Sequence, residues 1–417
     1  VKKMKNIEKG YGCKSFFRDF LTQVSIKTIF SGLISAIFAW TAVVVFYSVA
    51  KSNGVDKWIV DYWMTGELVA GGLLGIFIAC YYRKPIAVAW SFTGSVVFII
   101  AIANFSLREA LLGAFMSGLL LVILALTGFI KKIMNFLPTS VVMGMIGGCF
   151  LSYGLNIVKP LAESPLLVVL VVLTYLIFSK LIPKIPAVVA AMIVGGVYLA
   201  LTGFVFPPFE AKAMLPHLIL PAVTKNIVQI FISVSIPITV LVLGAENAQA
   251  YGVLLEQDYD PPINGMTLLS GIGGMISGFL YCANINIAGP MTAICSSPDS
   301  GEKDRRWTGS VVLGFLWIVV GVFYASLADF FLKFPSQFVG MISGIAVLGV
   351  IVGALKSAFV AEKYRTSAVF AFLVAATGVK LLGIGSPFWS LVFGGVIYTL
   401  FEGGLSVKDE KAAVEAG

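Results

Sequence analysis

Uncharged, apolar runs of 18 or more residues recur along the chain from Thr28 to Gly404. Each is long enough to cross about 30 Å of hydrocarbon as a helix rising about 1.5 Å per residue. A soluble domain interrupts such runs with charged faces, yet only 12% of these residues are charged and 59% are hydrophobic, against roughly 25% charged in an ordinary globular domain. The chain is therefore expected to be an all-α polytopic membrane protein. At about 20 residues per span plus short loops, 417 residues hold about a dozen to fourteen crossings and no sizeable soluble domain. Neither end is expected to carry a regulatory module.

The formal charge of +8 would suggest nucleic acid in a soluble protein; in a membrane protein Lys and Arg are better read as topology signals, and no nucleic-acid partner is expected. Cys13, Cys80, Cys149, Cys282 and Cys295 are scattered without a CxxC pair, which suggests neither a disulfide framework nor a metal site. The single histidine, His217, lies in a Pro-rich connector, so no His cluster is available for metal or triad chemistry, and an embedded hydrolase is not expected. The apolar run after Lys27 lacks an Ala-x-Ala site and reads as a retained first span.

Runs bounded by charge, Gly or Pro predict crossings over 28–50, 65–82, 86–103, 109–130, 137–157, 164–180, 186–204, 226–255, 263–281, 283–296, 307–332, 337–355, 366–382 and 386–404. If the first starts in the cytoplasm, 21 of the 29 Lys and Arg residues fall on the cytoplasmic side, which puts both termini there in a multi-pass protein of the bacterial inner membrane. Segments 86–103 and 283–296 are unlike the rest. The first holds Trp90, Ser91 and Thr93 early on, and the second holds Asn284, Asn286, Gly289 and Pro290. Both are predicted to be half extended and half helical, which is tolerated at membrane depth only where the backbone is buried in protein or lines a cavity.

The two odd segments resemble each other, with Ile86 to Thr93 aligning on Ile285 to Thr292. A second match follows in order, Pro138 with Gly144-Met145-Ile146-Gly147-Gly148 against Pro335 with Gly340-Met341-Ile342-Ser343-Gly344. Seven spans plus seven is the economical reading. Because seven is odd, the second half enters from the opposite side, and in such inverted repeats the site lies where broken helices meet at the midplane. This points to a transporter.

At that meeting point two helix N-termini, near Phe92-Thr93 and near Gly289-Met291, would offer unpaired N–H groups and positive dipole ends to an anion. No Lys or Arg occurs in either segment. Backbone dipoles with Ser91, Thr93, Asn284 and Asn286 would then hold a small carboxylate, Trp90 and Phe92 would form an aromatic wall, and Trp40, Ile287, Ala288 and Gly289 complete the candidate substrate-binding set. The alternative is that the aromatic residues face lipid or core and the Asn side chains only satisfy broken backbone.

Glu246 follows the nineteen uncharged residues Ile227 to Ala245 and lies ten before the next charge, Glu256. That places it about 15 Å from the cytoplasmic end, where carboxylates usually mark ion pathways or proton relays. Counting instead from Lys225 would put it at the cytoplasmic rim as a solvated charge. Glu67, Asp329, Lys333, Lys380 and Glu402 sit near predicted span ends and are expected to be interfacial.

The run Pro85 to Ser91, the stretch from Gly244-Ala245-Glu246-Asn247 through Tyr259-Asp260-Pro261-Pro262, and Asn286-Ile287-Ala288 with Ala293-Ile294-Cys295 resemble the benzoate:proton symporter family over most of the chain. The resemblance implies the seven-plus-seven inverted repeat shared with nucleobase transporters and sulfate-permease-type carriers. In it a core domain, here 28–130 and 226–332, carries substrate against a gate domain, here 137–204 and 337–404, commonly as a homodimer. Residues 1–27 and 405–417 would be cytoplasmic, the latter too short for the STAS domain of the sulfate-permease group. Compared with the benzoate pattern, Glu246 replaces a Gln, Gln249-Ala250 a Pro-Gly, and Ala283 a His; a glutamate at this place is closer to the nucleobase transporters.

The expectation is a carrier, not an enzyme, that takes up benzoate or a similar small aromatic carboxylate by an elevator-like core movement. The proton gradient supplies coupling, no cofactor is needed, and Glu246, oriented by Asn247, carries the proton. A nucleobase:proton symporter or another small-anion carrier of the same fold stays open, and a channel or membrane enzyme is the alternative from another class.

Overall fold

A computed structural model of the protein describes residues 6–403 except 53, 131–137, 182–186, 206–207, 332, 347 and 382–383. Within the helices, the side chains of 40–52 and of a few single positions, among them Phe92, Thr93 and Ala245, also lie outside the described part. The tail expected over 405–417 does so entirely.

A short amphipathic helix, α1 (Phe16–Gln23), leads at a bend of 100° into α2 (Ile26–Ser52). Then come α3 (Lys57–Tyr82), strand β1 (Val88–Trp90), α4 (Phe92–Asn104), α5 (Leu107–Thr127), α6 (Thr139–Leu155), α7 (Pro165–Leu181) and α8 (Ala187–Leu201). After a long extended connector, α9 (Ile227–Glu256) is a 30-residue helix. It is followed by α10 (Ile263–Ser277), β2 (Ile285–Ile287), α11 (Gly289–Ser296), α12 (Trp307–Val322), α13 (Tyr324–Phe331), α14 (Ser336–Ala346), α15 (Leu348–Ala358), α16 (Arg365–Ala376) and α17 (Ser386–Leu400). The short strands β3 (Lys380–Leu381) and β4 (Ile384–Gly385) pair just before α17.

Among the described residues five helices are long and apolar enough to cross a membrane, or six if the bent α1–α2 pair is one span. Large apolar side chains such as Leu173 and Ile177 on α7 and Ile193 and Val197 on α8 are exposed. In water such a belt would drive aggregation, whereas in a bilayer it is the lipid-facing surface. The protein is a multi-pass membrane protein.

α3 lies along α12, and α5 along α10, with α2 beside α12 and α11; α6 packs on α15, α16 and α17, and α7 on α8. The Gly-Met-Ile motifs sit where Pro138 and Pro335 precede α6 and α14. Gly144 abuts the Ala368 carbonyl and Gly344 the Tyr153 carbonyl, the close helix approach that small residues permit.

Segments 86–103 and 283–296 are extended and then helical. β1 and β2 pair antiparallel, with Val88 opposite Ile287, Ala89 opposite Asn286 and Trp90 opposite Ile285. Ala288 N–H donates to Ala87 O at 2.9 Å and Ser91 N–H to Asn284 O at 3.0 Å, which lengthens the ladder at both ends. Trp317 Nε1 donates to Val88 O at 3.0 Å and Ile285 N–H to Ser277 Oγ at 2.9 Å. The backbone groups that lipid cannot serve are thus satisfied by protein. β2 rests directly on α10, where a Cβ added at Gly273 would collide with the Ile285 carbonyl. Gly273→Ala is therefore expected to destabilise the folded protein by about 1–3 kcal/mol through overpacking, measured as a lowered thermal midpoint in detergent; an unchanged midpoint would contradict this contact.

Several expected boundaries move. The second span starts at Lys57 rather than 65, because Trp58 to Met64 continue the apolar helix despite Asp61, whose charge is met by Lys57 at 2.9 Å. Glu67 is consequently not interfacial: it is 1% exposed, inside the bundle. The run 307–332 is two helices, α12 and α13, separated at Phe323. Asp329 and Lys333 are at the surface, as expected for span ends. Glu402 accepts from Thr366 N and Ser367 N at the start of α16. The side chain of Lys380 lies outside the described part.

Candidate functional site

Ser91 ends the extended half of the first broken segment and caps α4: its Oγ accepts from Gly94 N at 2.9 Å. A serine at this position satisfies one of the free N–H groups at a helix start. The same Oγ donates to Glu246 Oε1 at 2.7 Å, and Asn286 Nδ2, from the middle of β2, donates to Glu246 Oε2. Ser91 and Asn286 are fully buried and Glu246 is 8% exposed, so the solvated-rim reading of Glu246 does not hold.

The reason Glu246 reaches the strand pair is local. α9 does not keep α-helical hydrogen bonding throughout; residues Val242–Asn247 form a π-helical turn, which widens the helix and re-aims the side chains it carries, a device common at functional sites. The carboxylate then lies beside the N-terminus of α4, where the helix dipole favours negative charge. The anion-attracting position foreseen between the broken helices holds a carboxylate of the protein itself.

The other candidates are distributed around this centre. Asn247 points elsewhere: its Oδ1 accepts from Ser270 Oγ at 3.0 Å, and Ile287 N donates to the same Ser270 Oγ at 3.2 Å. Asn247 also lines a nearly apolar cavity of about 490 Å³ between α9, α10 and α17, with Tyr251, Thr267, Leu391 and Val396. Asn284 is turned toward α5, its Nδ2 3.5 Å from Ser117 Oγ. Trp90 packs against Trp317 at 5.8 Å between ring centroids and borders a small apolar cavity with Met64 and Leu68. Ala288 pairs through its backbone with Ala87, and Gly289 opens α11 with Pro290 at its first turn and the Gln249 side chain against it. Trp40, Phe92 and Thr93 have side chains outside the described part.

The structure therefore brings together Ser91, Glu246 and Asn286 and sets Asn247, Asn284 and Trp90 on other contacts. Ser270, Gln249 and Glu67 are buried polar neighbours that sequence reasoning did not single out as site residues. Gln249 gave a signal as a departure from the benzoate pattern, and Glu67 was noticed as a charge in a predicted span but read as interfacial; Ser270 gave none. Among the described residues no group of His, Cys, Asp and Glu could hold a metal ion.

Residues 22–400 match the family model described as BenE, benzoate membrane transport protein. The chain belongs to that family. It is 28% identical over 383 residues to the inner membrane protein YdcO of Escherichia coli, covering 91% of this chain and 97% of that protein. It is 22% identical over 377 residues to the benzoate membrane transport protein of Acinetobacter baylyi, covering 90% and 95%. Among solved structures, that of SLC26A9 superposes with a TM-score of 0.53 at 12% identity, over 92% of this chain and 67% of that one; this likeness concerns the fold alone. The family is one of transporters, so this protein is a membrane transporter and not an enzyme.

Proposed function

We propose that the protein takes up benzoate or a similarly small aromatic carboxylate together with a proton. The observation that carries the reading is the Ser91–Glu246–Asn286 contact at the crossing of two broken segments. Family membership and the benzoate carrier of Acinetobacter baylyi supply the substrate class.

The chemistry of coupling follows from where Glu246 sits. A substrate carboxylate would be attracted by the same helix end and the same two donors that hold Glu246. Two anions cannot share that place, since their repulsion at low dielectric is large. A proton on Glu246 removes the conflict and frees Ser91 Oγ and Asn286 Nδ2 to turn to the substrate. Proton and anion then load together and leave together, and neither is moved alone.

The domain reading accompanies this. α2 to α5 with α9 to α13 form the moving core, α6 to α8 with α14 to α17 the gate, and the two halves are an inverted repeat of seven segments each. The pairing of the two broken segments and the two helices that open after Pro138 and Pro335 support it. Transport proceeds by sliding of the core past the gate in the inner membrane, with both termini cytoplasmic and the gate helices available for a homodimer. Substrate contact by Trp40, Trp90, Phe92, Thr93, Ile287, Ala288 and Gly289 belongs to the same proposal, whereas Asn247 and Asn284, foreseen as orienting Glu246 and as a substrate donor, are engaged by Ser270 and Ser117.

The test is uptake of labelled benzoate into proteoliposomes with and without an inward proton gradient, with nucleobases and short carboxylates as competitors. Saturable, gradient-driven uptake blocked by aromatic acids is expected. Uptake blocked by uracil or xanthine instead would assign the site to a nucleobase, with Glu246 accepting ring N–H groups.

A further inference from the structure

Glu67 lies ten residues into α3, about 15 Å from its start at Lys57, and is 1% exposed. Trp63 Nε1 donates to its Oε2 at 2.6 Å. The backbone N–H of Asn284 adds an attractive contact, and Glu246 is near enough for its charge to act on Glu67. Oε1 has no hydrogen bond of regular geometry, and among the described residues no Lys or Arg forms an ion pair with Glu67.

An ionised carboxylate in such surroundings is costly, because removal from water must be offset by an opposite charge or several donors. A neutral acid is tolerated there. A short polar chain also runs from the backbone beside Glu67 to Glu246. Asn284, whose backbone lies beside Glu67, accepts at its C=O from Ser91 N at 3.0 Å, and Ser91 Oγ donates to Glu246.

We propose that Glu67 is the proton store of the transport cycle, holding a proton while Glu246 is ionised and exchanging it with Glu246 when substrate binds. This rests on the reading of Glu246 as the coupling carboxylate. In the empty protein the proton is on Glu67 and the negative charge on Glu246. When the substrate anion arrives, the O–H bond on Glu67 breaks and one forms on Glu246, which moves the protein's charge away from the anion. Glu67 then takes one proton from the external solution, so the loaded protein has gained one substrate and one proton. After translocation both leave to the cytoplasmic side, one proton passing to water.

The other titratable groups around Glu67 are few. Cys282, whose Sγ contacts the Trp63 carbonyl at 3.3 Å, comes from the segment before β2, and Tyr324 from α13 lies beside Met64 and Leu68. Lys57, Asp61 and Asp329 cluster at the outer end of α3. α10, α12, β1 and β2 contribute no titratable side chain, and α2 carries Lys27, with Tyr47 and Lys51 outside the described side chains.

The test compares wild type, Glu67→Gln and Glu67→Asp in proteoliposomes, with labelled benzoate taken up at external pH 7.5 and pH 5.5. Without a store, Glu246 must be protonated directly from solution. Glu67→Gln is expected to lower gradient-driven uptake at least tenfold at pH 7.5 and to recover to within about threefold of wild type at pH 5.5, while Glu67→Asp keeps most uptake at both. Wild-type profiles for all three, or an equal loss at both pH values in Glu67→Gln, would overturn the assignment. The parent reading fails separately, if wild-type uptake ignores the proton gradient.

Discussion

Glu246→Gln is expected to abolish accumulation of benzoate against its gradient, with exchange of labelled for unlabelled benzoate remaining measurable. Glutamine has the same length and can still accept from Ser91 Oγ, but it cannot take up or release a proton, and its NH₂ would face the Asn286 amide that now donates to Glu246 Oε2. The variant is fixed in the neutral form that admits the anion. It therefore binds substrate without the titration that ties binding to the proton gradient. The accumulation ratio should fall to about one, the limit for a facilitated carrier, while counterflow persists. Gradient-driven accumulation by Glu246→Gln would show that the coupling proton is carried elsewhere.

Asn286→Leu is expected to have the next largest effect. Asn286 is fully buried and paired opposite Ala89, and its Nδ2 donates to Glu246 Oε2. Leucine is close in size, so the β1–β2 ladder, which uses backbone groups only, should form as before. What is lost is a donor to a buried carboxylate. A hydrogen bond to a charged group contributes about 1.5–3 kcal/mol, which corresponds to a fall of about 10- to 150-fold in kcat/KM for uptake. The pH dependence should move as well, because the ionised form of Glu246 loses support that the neutral form needs less. A variant with normal folding, normal uptake and an unshifted pH profile would remove Asn286 from the site.

Much of the fold is legible along the chain, because the apolar runs that lipid requires and the polar or Pro-rich breaks between them are local patterns. The predicted spans fall on helices, and the two segments that broke the pattern, 86–103 and 283–296, both turn from strand to helix. Boundaries were less legible where a local charge is neutralised by a neighbour. The predicted span began at residue 65, but the pairing of Asp61 with Lys57 one turn away lets α3 begin early. That shift of two turns is also what moves Glu67 from the interface to the interior.

Sequence alone determined that this chain must live in a membrane, that two of its segments cannot be plain helices there, and that a carboxylate at position 246 demands a partner. Those conclusions rest on the cost of unpaired polar groups in hydrocarbon, which acts residue by residue. Only the tertiary structure decided who the partners are. Ser91 is 155 residues and Asn286 40 residues from Glu246. Asn284, two positions away from Asn286 and chemically identical, is directed instead to Ser117 on α5. Nothing in composition or spacing separates those two asparagines, because the choice is made by how β2 is wedged against α10 and by the π turn in α9, and both arise only when distant segments pack.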